Sequence, residues 1–157
     1  MKWITREKIK VDRVACPWLI RNFIDPEANF VFLPHDTNWS KIDHGTVFDV
    51  PNCELGHHGE DVSFNSILKK FCVSDPALAL LGEIVRAADS HPRKPHPAGE
   101  GLRWIAHGFG KLGLSDHEIL EREFTVYDAL YQECKSQAAN AKTTRKPSFW
   151  EIRSTVR

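Results

Sequence analysis

Four segments of this 157-residue chain carry side chains whose types and spacing could do chemistry. In residues 115–134, His117 and Glu121 are four positions apart. On a helix, that spacing stacks them one turn apart, where two side chains can reach a single metal ion. Asp116 adjoins His117, and Asp128 continues along the same edge. The apolar stripe expected of this helix is Leu120, Phe124, Tyr127 and Tyr131. His117, Glu121 and Asp128 therefore border a buried face rather than oppose it. Burying such groups is costly unless they are paired or hold a cation. The plainer alternative is a surface His–Glu pair, with Asp128 hydrogen-bonded to a tyrosine.

A second segment is Glu54-Leu55-Gly56-His57-His58-Gly59, just past a strand-like stretch ending at Pro51. Glycines on both sides of the histidine pair let the backbone turn tightly. A carboxylate and an imidazole three residues apart on such a loop suit a mixed nitrogen and oxygen site for iron, manganese or zinc. Neighbouring histidines point in opposite directions, so one of them at most is expected to ligate. Cys53 beside them is either a soft ligand or a small buried apolar group.

The third segment is Asp12-Arg13-Val14-Ala15-Cys16-Pro17. If Pro17 opens a helix, Cys16 is its N-cap, and the positive end of the helix dipole makes its thiol more acidic and more reactive. If the helix instead starts near Arg13, Asp12 is the cap and Cys16 is a core residue beside Leu19 and Ile20. The fourth segment is Ile84-Val85-Arg86-Ala87-Ala88-Asp89-Ser90, in which Asp89 follows an apolar helix and precedes His91-Pro92-Arg93-Lys94-Pro95-His96-Pro97. Asp89 is a carboxylate ligand or a helix-terminal residue.

The elements that must position these groups are legible from pattern. Strands are expected at 3–5, 29–33 and 46–50, the last two rich in aromatic and β-branched residues. Helices are expected at 14–24, 63–71, 77–88, 101–109 and 115–134. Asp75-Pro76 and the capping box that Ser115 opens mark two helix starts. After Lys135 the apolar period fades. We therefore expect an ordered domain over 1–135 and a basic, flexible tail over 136–157, where Phe149 and Trp150 are the aromatic residues. The expected fold is α+β: one helix-rich domain with a small β-sheet and a long C-terminal helix.

Composition sets the outer bounds. Hydrophobic residues make up 41% and charged residues 27%, which excludes wholesale disorder and a membrane-embedded chain. Lys plus Arg and Asp plus Glu are both 21, so there is no global basic field and nucleic acid is not an expected partner. The acids cluster in 43–61 and 115–133, two His-containing segments that could attract cations. Four widely spaced cysteines without a CxxC fit a reducing compartment. With no apolar leader at the N-terminus and no membrane-length apolar run, a cytoplasmic location is expected.

Several collinear motifs carry a resemblance. They are Lys2-Trp3-Ile4-Thr5-Arg6, Asp12-Arg13-Val14-Ala15-Cys16-Pro17-Trp18-Leu19-Ile20-Arg21 and Phe23-Ile24-Asp25-Pro26-Glu27-Ala28, followed by Phe48-Asp49-Val50-Pro51, Glu54-Leu55-Gly56-His57 and Ile84-Val85-Arg86-Ala87-Ala88-Asp89, and finally Asp116-His117-Glu118-Ile119-Leu120-Glu121 and Tyr127-Asp128-Ala129-Leu130-Tyr131. Together they resemble the chromate-resistance protein domain family over about residues 2–134. The resemblance implies a role in chromate or related oxyanion stress. Its motifs coincide with the chemistry-bearing segments. The resulting expectation is a divalent iron, manganese or zinc ion held by Glu54, His57, Asp89, His117 and Glu121. Asp116 and Asp128 would support the site or substitute as ligands. Arg13 and Cys16 would face the substrate, with Arg13 suited to an oxyanion such as chromate or sulfate. The expectation covers a metal-dependent enzyme, a metal or oxyanion sensor, and a thiol reductase centred on Cys16.

Overall fold

A computed structural model describes residues 1–90 and 95–144. The chain runs β1 (Lys2–Arg6), α1 (Val11–Phe23), β2 (Asn29–Leu33), a 3₁₀ turn (Trp39–Lys41), β3 (Thr46–Val47), α2 (Ser63–Lys70), α3 (Pro76–Asp89), α4 (Pro97–Phe109) and α5 (Asp116–Thr143). The three strands form one parallel sheet in the order β2-β1-β3. Parallel neighbours need a crossover, and α1 supplies it between β1 and β2. The expected α+β class, small sheet and long last helix are all present.

Trp3 and Ile4 of β1, Phe30 of β2 and Phe48 after β3 are buried, and their aromatic rings meet edge to face. Helix α1 lies at the centre, with nine buried residues from Val11 to Ile20. It packs against the other four helices. Tyr127 of α5 is fully buried and donates its hydroxyl proton to the carbonyl of Val11 at 3.1 Å, tying α5 to the start of α1. Helices α3 and α4 approach closely. A Cβ built on Gly99 would lie 2.6 Å from that of Ala87, so only glycine fits there.

Strand β3 ends at Val47 rather than at 50, and three helix boundaries also correct the sequence expectation. Helix α1 starts at Val11, not near Val14, so Pro17 sits inside it and Cys16 is mid-helix rather than an N-cap. Pro17 leaves one main-chain acceptor without its helical donor. Burial of α1 on several sides holds the helix continuous through that loss. Helix α5 continues to Thr143, about two turns past the expected end. Its last turns are mostly exposed, built from Gln, Ala, Asn and Lys, which propagate a helix without any apolar stripe to announce it. Helix α4 starts at Pro97, capped by the His96 ring, which accepts from the Ala98 N–H. Residues 91–94, including His91, and the tail from 145 onward, including Phe149 and Trp150, lie outside the described residues.

Candidate metal centre

The carboxyl ends of the parallel strands β1 and β3 open toward the start of α1, the position where α/β sheets gather ligand sites. Arg6 ends β1. Past β3, Phe48 still pairs with the sheet through Ile4, and the next residue, Asp49, has a φ of +48°. That left-handed conformation is strained for a non-glycine residue. The Asp49 N–H donates to the Leu55 carbonyl at 3.0 Å, closing the loop that brings His57 back over the strand end.

Three carboxylates converge on one imidazole nitrogen. His57 Nε2 stands 3.2 Å from Asp12 Oδ2, 3.4 Å from Asp49 Oδ1 and 3.3 Å from Asp89 Oδ2. Asp12 comes from the first turn of α1, Asp49 from two residues past β3, and Asp89 from the last position of α3. Asp12 and Asp49 are buried, at 1% and 5% exposure, whereas His57 is half exposed.

Each acid is held by other groups. Helix α2 has no capping side chain of its own at Val62. Asp12 serves instead, accepting from the Ser63 N–H at 2.7 Å and the Phe64 N–H at 3.1 Å. Asp49 accepts from the Ser63 hydroxyl at 2.8 Å and from Arg13 Nη1 at 3.1 Å, with Arg6 Nη2 at 3.9 Å. Arg13 also reaches the Lys8 carbonyl. Asp116 accepts from the Lys8 and Ile9 N–H groups at 3.0 and 2.9 Å, fixing the loop that leads into α1.

The electrostatics follow from this crowding. Burial pushes the Asp12 carboxyl up to about 6; the His57 bond opposes the rise, while Asp49 and Asp89 add to it. Asp49 is also penalised by burial, but His57, Arg13 and Ser63 outweigh that and hold it below the usual carboxylate value. His57 is pushed up to about 12 by its bonds to Asp12, Asp49 and Asp89, against its partial burial. A single N–H cannot donate well in three directions. A divalent cation can satisfy several oxygens at once, so the donor set fits a metal ion. One donor atom each from Asp12, His57 and Asp89 lies within 4.8 Å of the other two, close to the spread that ligands about 2.0–2.2 Å from one ion require.

The structure unites some of the expected residues and separates others. His57 and Asp89 come together. Glu54 instead pairs with Lys70 at the surface. His117 and Glu121 are exposed on α5; the His117 ring lies edge-on to Phe32, with centroids 5.0 Å apart. Asp128 accepts from the Trp18 indole N–H at 2.8 Å. Among the described residues, Asp12, His57 and Asp89 form the one group of three donors within reach of a shared ion. The expected ligand set of Glu54, His117 and Glu121 with His57 and Asp89 is therefore corrected. The reason is rotation of α5: its buried side carries Ile119, Leu120, Glu123, Tyr127 and Cys134, so Glu123 points inward and Glu121 outward. At 100° per residue the apolar side chains of α5 fill one broad arc with Glu123 in its middle, and His117, Glu121 and Asp128 lie together on the polar arc; the apolar arc packs against α1 and α3.

Cys16 is also corrected as a reactive group. It is fully buried and donates to Asp12 Oδ1 at 3.3 Å. Burial and the neighbouring Asp12 and Asp49 push the thiol well above its ordinary value, which keeps it protonated. Arg13 does reach the site, through Asp49.

Sequence reasoning missed Asp12 and Asp49 as site carboxylates and Ser63 as their link. A signal was present: Asp49 ends an apolar strand and precedes a Pro/Gly loop, and Asp12 opens the helix after a strand. A pocket of about 220 Å³ adjoins the cluster, lined by Arg6, Asp49, Asn52, Cys53 and His57 among others.

Protein ChrB of Cupriavidus metallidurans is 35% identical over 131 residues, covering 83% of this chain and 40% of that protein. The chain thus spans less than half the length of that curated relative. No solved structure matches it. The sequence matches the family described as ChrB, C-terminal domain, over residues 3–134, which takes in both strand ends, the loop bearing His57 and the α3 terminus that bear the acid–imidazole cluster. This chain belongs to the ChrB C-terminal domain family.

Proposed function

We propose that the domain binds a divalent metal ion, iron, manganese or zinc, through Asp12, His57 and Asp89, with Asp49 completing the acidic wall. The observation that carries this reading is the convergence of three carboxylate oxygens on one imidazole nitrogen from three separate elements. One imidazole with two or three carboxylates moves the preference toward manganese and ferrous iron, since carboxylates favour harder ions. Bound there, such an ion supplies Lewis acidity or one-electron redox chemistry.

The role we assign is in chromate or related oxyanion stress, by resemblance to the family. The pocket beside His57 takes a small oxyanion or similar small molecule, with Arg6 on its wall and Arg13 behind Asp49. A metal-dependent enzyme and a non-catalytic sensor share this architecture. A reductase centred on Cys16 is disfavoured by the buried, protonated thiol. No helix among the described residues is long and apolar enough to cross a membrane, and a cytoplasmic location is part of the proposal.

Elemental analysis of protein purified without a metal-affinity step tests the reading. About one equivalent of metal per chain is expected, falling strongly in Asp89→Asn. Absence of metal, together with no binding of added Mn(II), Fe(II) or Zn(II) in titration calorimetry, would overturn it.

A further inference from the structure

Helices α4 and α5 both pack on α3 yet scarcely touch each other. Between them lies an apolar groove of about 610 Å³. Leu102 and Ile105 of α4 line one wall, and Val126, Ala129 and Leu130 of α5 the other. The solvent side of α4 continues this apolar surface. Gly101, Trp104, Ile105 and Gly108 are exposed and uncharged, and their spacing of one, three or four positions sets them on one side of the helix. Trp104 is 75% exposed, and Leu112, just past the helix end, is 61% exposed. A glycine inside a helix costs about 0.5–1 kcal/mol relative to alanine. A Cβ on Gly101 or Gly108 would meet nothing within 4 Å, so packing among the described residues gives no reason for either glycine. A second helix laid against this side does, because glycine lets two backbones approach closely. A continuous open apolar surface of this kind marks an interaction site.

We propose that this face pairs with the same face of a second copy of the chain, about a two-fold axis through the groove. Charge complementarity selects that occupant. Arg122 and Glu133 are eleven positions apart on α5, about three helical turns, with Val126 and Ala129 between them on one stripe. Glu100 and Lys111 are also eleven positions apart, on either side of Trp104, with the charges in the reverse order. The six-residue link 110–115 turns the chain back, so the groove wall of α4 runs opposite to that of α5. A two-fold axis normal to the groove reverses α4, laying it along α5 of the other copy in the same direction. Glu100 then meets the partner's Arg122, and Lys111 meets the partner's Glu133, each pair occurring twice. Within its own helix Glu100 also holds the Arg103 guanidinium and the Trp104 indole, which keeps it on this side. Trp104 enters the groove of the other copy. Knob and groove lie side by side on one surface, as a self-complementary interface requires. Size is the second argument. With about 250 Å² to bury in a tryptophan, Trp104 at 75% exposure offers about 190 Å², about a quarter of the roughly 800 Å² each partner gives to a stable interface.

The test uses the full chain. Sedimentation equilibrium from about 1 to 100 μM should show a reversible monomer–dimer equilibrium. Trp104→Ser should raise the dimer dissociation constant at least about tenfold, as expected for an aromatic anchor. Far-UV circular dichroism at the lowest concentration should match the wild type, because a side chain this exposed supports little of the monomer fold. Lys111→Glu should also weaken the dimer, since it sets two glutamates against each other. Adding Glu133→Lys to Lys111→Glu should restore most of the lost affinity, a rescue that a purely structural role for either residue would not give. A chain that stays monomeric across the whole range would overturn the proposal and leave the groove to a different partner. So would a dimer that Trp104→Ser leaves intact, which places the contact on another surface. Failure of Glu133→Lys to rescue Lys111→Glu would overturn the two-fold pairing.

Discussion

Oδ2 of Asp12 accepts from the Ser63 N–H at 2.7 Å and stands 3.2 Å from His57 Nε2, so one oxygen links the start of α2 to the imidazole of the candidate metal centre. Its other oxygen takes the Phe64 N–H and the Cys16 thiol. Asp12 is therefore both a structural cap and a metal-facing acid, and Asp89, 23% exposed, has only the second role in view.

That difference separates two variants. Asp12→Ala should lower the stability of the metal-free protein by about 3 kcal/mol, because it strands two buried N–H groups at a helix start. Asp89→Ala should change it by less than about 1 kcal/mol, as expected for a partly exposed acid. Both should weaken metal binding at least about tenfold. Chemical denaturation with and without metal measures both quantities; equal destabilisation by the two variants contradicts the capping role.

Metal affinity should rise with pH. In the metal-free protein, His57 holds its proton up to about 12 because of Asp12, Asp49 and Asp89. A metal ion must displace that proton. Affinity should therefore rise by about tenfold per pH unit between about pH 7 and 9, with roughly one proton released per ion. Calorimetry in buffers of different ionisation enthalpy counts the proton. For the metal-free fold the sign is opposite: a raised histidine pKa contributes stability that is complete below about 6.5 and is lost as pH climbs toward 12. A pH-independent affinity removes His57 from the ligand set.

Glu121→Gln and His117→Ala should leave metal content as in the wild type. Both side chains are exposed on α5, outside the acid–imidazole cluster. Their effect on stability should stay within about 0.5 kcal/mol. Metal content measured side by side with wild type decides the matter, and a large loss in either variant restores α5 to the site.

Alkylation should sort the four cysteines by burial. Cys72 is exposed and Cys53 intermediate, whereas Cys16 and Cys134 are buried. Iodoacetamide followed by peptide mass spectrometry should label Cys72 first, Cys53 more slowly, and Cys16 and Cys134 only after unfolding. Rapid labelling of Cys16 in the native protein would reopen a thiol-based mechanism.

Glu123 should make the fold weaken toward alkaline pH. It is 1% exposed, and neither carboxylate oxygen has a hydrogen-bond partner. Burial raises its pKa from 4.5 to about 7. A raised acid holds its proton more tightly when folded, so its share of stability is intact below about 4.5 and is lost as pH rises to about 7. Glu123→Gln should remove that slope and stabilise the protein at pH 8 by on the order of 2 kcal/mol. Parallel melting curves of wild type and variant across pH 5–8 would show no divergence if Glu123 finds a partner.

The order of elements was legible because local signals agree with the fold. The apolar run in β2, Asp75-Pro76 before α3 and the capping box at Ser115 act over a few residues, and each gives the element found. Asp75 and Ser115 cap their helices as expected. His57 and Asp89 were recognisable because a glycine-flanked histidine loop and a carboxylate at a helix end are local features. The family motifs also lie in the linear sequence.

Tertiary structure decided the rest. On α5 the helical period by itself sets Glu121 among polar residues and Glu123 among Ile119, Tyr127, Leu130 and Cys134; what packing against α1 and α3 decided is that this arc is buried deeply enough to enclose Glu123. Asp12 and Asp49 look like a helix-start acid and a turn acid until the parallel pairing of β1 with β3 brings the two strand ends together. Cys16 looks reactive only if its helix begins at Pro17, and packing extends that helix back to Val11. Neighbour-range signals specify elements, but a site assembled from α1, β3, the His57 loop and the end of α3 is set by how those elements pack, through the burial of apolar surface that no short segment contains.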